Sequence, residues 1–279
     1  MMKRILVPTD FSDEAEFALD AAAWLARQFG SEIYLLHVLD LPVHLATEET
    51  SELPEAIFFM KLAHQRFESF IDKPYLKGIT VRETVESDSI PHGIAKAVTD
   101  NDIDMIVMGS GGASGFREMF IGSNTEKVVR TAEVPVFTLK SRLDLKSITH
   151  MVFASDFSVE TTAPYKQALN FAKKFGAAMH LLFVNTPNNF VTTREAENRM
   201  NLFIKNGKPK KYTLNIYNDH TVEHGIIHFS RAINADIISL STHGRKGLAH
   251  FFNGSISEDL VNHAMRPVIT FKIPEDTEE

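Results

Sequence analysis

Apolar positions change period repeatedly along this chain. Residues 4–8, Arg-Ile-Leu-Val-Pro, make a short apolar run with β-branched side chains, the pattern of a strand buried on both faces. From Ser12 the period lengthens. Ala15, Ala18, Leu19, Ala22, Leu25, Ala26 and Phe29 recur at helical spacing and give one apolar face. Ser12 is placed to cap this helix, Asp13 and Glu14 sit where the dipole favours acids, and Gly30 supplies a left-handed residue to end it. A strand at 32–38, a helix at 54–71, a strand at 79–85, a helix at 90–99 and a strand at 104–109 follow. A short helix starts near Ser123, and 135–140 is the last strand. Strands alternating with helices imply βαβ units with right-handed crossovers, and so a parallel sheet covered on both faces.

The whole pattern occurs twice. Ile5-Leu-Val-Pro-Thr-Asp10-Phe11-Ser12 recurs as Met151-Val-Phe-Ala-Ser-Asp156-Phe157-Ser158, an offset of 146 residues. That offset also carries Phe29-Gly30 onto Phe175-Gly176 and Leu35-Leu36-His37-Val38 onto Leu181-Leu182-Phe183-Val184. Further on the offset is 132. It carries His92-Gly93-Ile94 onto His224-Gly225-Ile226, Asp104 onto Asp236, Gly122-Ser123 onto Gly254-Ser255, and Val134-Pro135-Val136 onto Arg266-Pro267-Val268. The second copy is thus 14 residues shorter, the loss falling between its second and third strands. An ordered series through the whole unit identifies an internal duplication. The predicted domains are 1–142 and 147–279, with a charged linker at 140–147.

Composition narrows the class. With 279 residues, 44% apolar and 23% charged, each half is large enough to bury a core without disulfides or structural metal. The lone tryptophan, Trp24, and the phenylalanines are expected in that core. A formal charge of −7 and the lack of a long basic run weigh against nucleic acid as a partner. The absence of cysteine excludes disulfides, thiolate catalysis and cysteine-based metal centres, and it fits a reducing compartment. The apolar run after Met1 ends within four residues, short of the roughly 7–15 of a secretory signal. No stretch reaches the roughly 18 apolar residues of a membrane span. The expectation is a cytoplasmic protein with neither a membrane nor a nucleic-acid partner.

In open parallel sheets ligands bind beyond the carboxyl ends of the strands. There the chain offers Pro8-Thr9-Asp10 after the first strand, Val38-Leu39-Asp40 after the second, and Gly109-Ser110-Gly111-Gly112 after the fourth. After nine intervening residues Gly122-Ser123-Asn124 opens a helix. Glycines let backbone N–H groups approach an anion, and a helix start adds unpaired N–H groups and the positive end of its dipole. Ser123 and Ser255 serve equally as plain helix caps, and Asp10 and Asp156 equally as turn residues.

The Gly-x2-Gly-x9-Gly-Ser spacing, with Asp closing the first strand and Pro-Val opening the fifth, resembles the universal stress protein family. Gly122-Ser123-Asn124-Thr125-Glu126-Lys127-Val128-Val129-Arg130 and Gly254-Ser255-Ile256-Ser257-Glu258 carry the resemblance once per copy. What it implies is two tandem open-sheet α/β domains. Each would be a five-stranded parallel sheet in order 3-2-1-4-5 with helices on both faces, Rossmann-like and similar to the adenine nucleotide alpha hydrolases. It further implies an adenine nucleotide as ligand: ATP, with or without Mg. By the resemblance, Asp10 and the backbone of Val38 contact adenine, and Pro8 and Thr9 belong to the same binding site. Gly109 and Gly112 hold ribose and phosphate, and Gly122, Ser123 and Asn124 bind the outer phosphates. In the second copy Asp156, Val184, Gly244, Gly254 and Ser255 match, but Ser241 stands where the first glycine belongs. The better site is therefore expected in the first copy.

Other readings stay open. The last strands, Pro135-Val-Phe-Thr-Leu and Pro267-Val-Ile-Thr-Phe, suggest that the copies meet as an internal pseudo-dimer, or that a homodimer uses the same edge. A nucleotide-free scaffold and a slow ATP-hydrolysing or self-phosphorylating protein are the alternatives to a regulatory nucleotide binder. Neither loop ends in the Gly-Lys-Ser/Thr of a P-loop, and no nucleophile–base–orienter set is visible, so no catalytic residue is assigned. His220, His224 and His228, with Glu223 nearby, have a spacing that could suggest metal, but no ligand from a second element can be named and none is assigned. Residues 41–54, the extra stretch of the first copy, would suit a lid.

Overall fold

The structure, a computed structural model, describes residues 2–39, 53–110, 123–242, 260–261 and 263–273. The chain divides into two units, Met1–Arg117 with Ile121–Val128 and Leu139–Leu143, and Glu118–Phe120 with Val129–Thr138 and Asp144–Glu279.

In the first unit β1 (Arg4–Pro8) pairs in parallel with β2 (Glu32–Leu39) on one side and β4 (Met105–Gly109) on the other, and β2 pairs with β3 (Val81–Ser87). Ile5, Leu6 and Val7 are all buried. Successive strand residues point to opposite faces, so three in a row need cover on both sides. Helix α1 (Asp13–Phe29) packs on β1 and β4, α2 (Leu53–Ile71) on β3, and α3 (Ile90–Asp100) on β1 and β2. The apolar stripe read from the sequence is the buried face of α1, and Leu19 and Leu25 are fully buried on it. Each such leucine contributes about 1.5–3 kcal/mol relative to exposure. Trp24 corrects an expectation: it lies off that stripe and is half-buried at the margin of the core.

Ser12 accepts the N–H of Ala15, and Gly30 takes φ 72°, so both ends of α1 form as its sequence dictates. Asp104 fixes the start of β1 by accepting from the N–H groups of Lys3 and Arg4 at 2.6 and 3.0 Å. At the far end of the sheet Ser110 donates its N–H to the Leu139 carbonyl at 2.9 Å, and its hydroxyl donates to the same oxygen. Helix α4 spans Ser123–Thr131 and β5 spans Val136–Leu139, so the end of β5 lies beside β4.

The second unit repeats the plan with β6 (His150–Ala154), α5 (Thr162–Phe175), β7 (Ala178–Asn185), α6 (Thr193–Phe203), β8 (Tyr212–Asn218), α7 (Val222–Ala232), β9 (Ile237–Thr242) and β10 (Val268–Lys272). Its parallel strands run β8-β7-β6-β9-β10, which is the 3-2-1-4-5 order. Residues 136–138 of β5 belong to this unit and pair antiparallel with β10, Phe137 opposite Ile269. Asp236 repeats the role of Asp104, accepting from the N–H groups of Thr149 and His150 at 2.7 and 2.9 Å. Part of the length difference between the copies is visible in the helices, since α6 has 11 residues and α2 has 19.

At the amino ends of β6 and β7 the rings of His150 and His180 share a hydrogen bond of 2.9 Å, and His180 also bonds the Thr213 hydroxyl. Burial, reinforced by the neighbouring His150, lowers the His180 pKa from its ordinary 6.5.

Two outcomes are expected. A Cβ at Gly109 would meet the backbone of Glu14 at 2.7 Å, so Gly109→Ala should destabilise the protein by about 1–3 kcal/mol, read as a lower urea midpoint. The unfolded chain protonates His180 at a higher pH than the folded one does. Stability should therefore fall as pH drops from about 6.5 through the lowered folded value, and His180→Gln should flatten that limb in Tm measured against pH.

Candidate functional site

At the carboxyl ends of β1, β2 and β4 a cleft of about 140 Å3 opens, rimmed by α1, α3 and α4. Whole-ligand pockets are roughly 300–1,000 Å3, so this cleft suits one ring system with the rest of a ligand lying over its rim. Its inner walls are apolar, formed by Leu36, Val38, Ile90, Ile94 and Met108. Pro8, Thr9, Asp10, Gly109 and Asn124, all predicted site residues, line it together. Sequence reading missed Ile90, Ile94, Met108, Ala15 and Thr125. For Ala15, Ile90 and Ile94 the signal was only apolar periodicity on α1 and α3, which reads as core; Met108 lies in the apolar run of β4, and Thr125 in the first turn of α4.

The turn leaving β1 is the most constrained part of the site. Phe11 has φ 65°, the left-handed region that bulky residues avoid. Short bonds hold it there: the Thr9 hydroxyl accepts the Phe11 N–H at 2.9 Å, and Asp10 Oδ1 accepts the Ser12 N–H at 3.0 Å. The Phe11 ring packs against His37, Phe67 and Phe70, tying the turn to α2. His37 in turn bonds the Thr9 carbonyl through Nδ1 at 2.8 Å. Asp10 is therefore a turn-forming residue by its own geometry, with its carboxylate exposed at the cleft.

The backbone of Val38 is placed as an edge. The Leu36 carbonyl accepts from Thr9 on the β1 side, and the Leu39 carbonyl accepts from Asp88 on the β3 side. Strand residues alternate sides, so the N–H and C=O of Val38 point toward β1, which has already ended. One donor and one acceptor thus face the cleft where no ladder partner stands opposite.

Gly109 owes its identity to helix packing, since the first turn of α1 crosses it at a distance that leaves no room for a Cβ. Ser110 is committed to Leu139, as described above. Thr125, in the first turn of α4, donates to the Gly109 carbonyl at 3.3 Å and docks that helix start on the end of β4. Gly112, Gly122, Gly244, Gly254 and Ser255, the Ser123 side chain and residues 41–52 of the expected lid lie outside the described residues.

The equivalent place in the second unit brings Asp156 and Val184 together in a cleft of only about 10 Å3, lined also by Ala154, Ser155, Leu182, Phe183 and Val222. Its turn repeats the first. Phe157 has φ 58°, the Ser155 hydroxyl accepts the Phe157 N–H, and Asp156 Oδ1 accepts the Ser158 N–H. Ser241 is fully buried and its hydroxyl has no hydrogen-bond partner.

The histidines near α7 engage separate carboxylates. His228 bonds Asp219 at 2.8 Å, and His263 bonds Glu223 at 2.7 Å. Hydrogen bonds from His228 and the His220 N–H hold the Asp219 carboxyl below its usual range against opposing burial. Among the described residues no three of His, Asp or Glu are grouped to share a metal ion. No helix among them is long and apolar enough to cross a membrane.

Comparison with known proteins follows the same two-fold division. The sequence profile described as universal stress protein family matches residues 1–140 and again 147–272. Universal stress protein Slr1230 of Synechocystis is 25% identical across 97% of this chain and 100% of its own length. Universal stress protein MJ0577 of Methanocaldococcus jannaschii is 28% identical over 51% of this chain and 97% of its own. Among solved structures, a universal stress protein from Archaeoglobus fulgidus superposes with a TM-score of 0.70 at 22% identity, covering 97% of this chain and 98% of that one. The duplicated open sheet and the twice-matched sequence assign this chain to the universal stress protein family as a tandem member.

Proposed function

We propose that the chain is an ATP-binding regulatory protein whose working site is the cleft of the first repeat. The observation that carries this reading is the edge of Val38. A backbone donor and acceptor at the back of an apolar slot, with no ladder partner opposite among the described residues, match the hydrogen-bonding edge and flat faces of a purine. In this reading Pro8, Thr9 and Asp10 border the base and ribose. Gly109 and Gly112 let the chain approach the sugar and first phosphate, and Gly122, Ser123 and Asn124 take the outer phosphates at the start of α4. Magnesium would ride on the phosphates rather than in a protein cage. Asp10 is the one carboxylate among the described lining residues, and its Oδ1 already holds Ser12, which favours retention of the nucleotide over its hydrolysis.

The β5–β10 pair supports an internal pseudo-dimer. Phe137 and Ile269 are equivalent positions of the two repeats and face each other. The equivalent threonines make reciprocal bonds, Thr138 to the Val268 carbonyl and Thr270 to the Val136 carbonyl. Such self-complementary pairing is what a two-fold interface requires. The repeats are proposed to act as domains 1–142 and 147–279, and a chain without cysteine suits the cytoplasm.

Titration calorimetry with ATP tests the site. Saturable binding is expected for the full chain. It should be lost in Gly122→Val and weakened about ten-fold in Asp10→Ala, the equivalent of one lost hydrogen bond. Wild-type protein that neither retains a nucleotide by mass spectrometry nor binds ATP would refute the reading.

A further inference from the structure

The two clefts share their turn, strand order and buried floor, yet one is about 140 Å3 and the other about 10 Å3. Several positions that line the first cleft do not line the second, and two of them carry a larger side chain there. In the first unit the lining includes Ala15 of α1 and Gly109 of β4; in the second their equivalents, Thr161 and Ser241, are absent from the lining. Both positions have gained atoms. Thr161 and Ser241 are 1% and 0% exposed, so both larger side chains are packed inside the fold.

The backbone answers the larger residues. A Cβ at position 109 would strike the Glu14 backbone, so a serine at the equivalent position requires the following helix to start elsewhere. In the second unit the residues equivalent to 13–15 form a 3-10 turn, Val159–Thr161, and α5 begins only at Thr162. The first helix is α-helical from Asp13. The turn is pinned by hydroxyls: Ser155 donates to Thr161 Oγ1 at 3.1 Å, and Thr161 donates to the Ser158 carbonyl at 2.8 Å. Ser241 is buried with an unpaired hydroxyl, an arrangement that costs stability.

From this we infer that Ser241 and Thr161 close the second cleft to adenine nucleotides, so that the tandem chain carries one nucleotide rather than two. The inference rests on the proposed ATP site of the first repeat for its choice of ligand. It assigns Ser241 and Thr161 as the residues that set stoichiometry, acting by occupying space and displacing the start of α5.

Two experiments test it on the full chain. Photolabelling wild-type protein with 8-azido-ATP, followed by peptide mass spectrometry, should give adducts from 1–142 only; adducts from 147–279 would overturn the inference. Calorimetry should then show that Ser241→Gly with Thr161→Ala, made in a Gly122→Val background, regains saturable ATP binding. A variant that unfolds cooperatively but binds nothing would overturn the assignment. If that variant does not fold, the converse change decides: Ala15→Thr should lower ATP affinity at the first site at least about ten-fold, and unchanged affinity would count against it. A wild type that binds nothing while the triple variant binds would sink the proposed first site and leave this inference standing.

Discussion

The distance between the first turn of α1 and the end of β4 governs much of what this chain can do. Where Gly109 lies under Glu14, α1 is helical from Asp13 and an apolar slot remains between β1, β2 and β4. One side-chain oxygen and one Cβ at the equivalent place in the second repeat go with a later helix start and a cleft too small for a ring system. Close-packed interiors do not absorb even a methyl group without movement, so a small substitution at a crossing point is amplified into a change of helix register.

Most of the scaffold was legible in the sequence because it depends on local rules. The period of α1, its Ser12 cap and its Gly30 terminus are local and formed as read. The parallel order followed from alternation of elements together with the family resemblance. Trp24 was misread because its residue type, not its position on the helix stripe, suggested burial. Ser110 lies in a glycine-rich stretch whose local sequence does not reveal its partner: its hydroxyl and N–H both serve Leu139, 29 residues away.

The site was legible only in part, for the same reason. Pro8, Thr9, Asp10 and Gly109 could be named from their strand ends, and the structure gathers them in one cleft. Ile90, Ile94 and Ala15 could not, since an apolar residue that lines a slot has the same periodicity as one that fills a core. Ser241 was visible as a departure from pattern, but that α5 begins three residues later than its counterpart α1 required coordinates.

The left-handed turn at Phe11 has a twin at Phe157, and the two sit beside clefts of very different size. Strained backbone near a ligand site invites the view that the ligand selected it. Here the duplication supplies a control within one molecule: the same backbone excursion persists where the adjoining space is almost filled. The conformation is therefore a requirement of architecture, the corner by which the chain leaves a strand and enters a helix. Duplicated proteins allow this separation of structural from functional strain without any second species to compare.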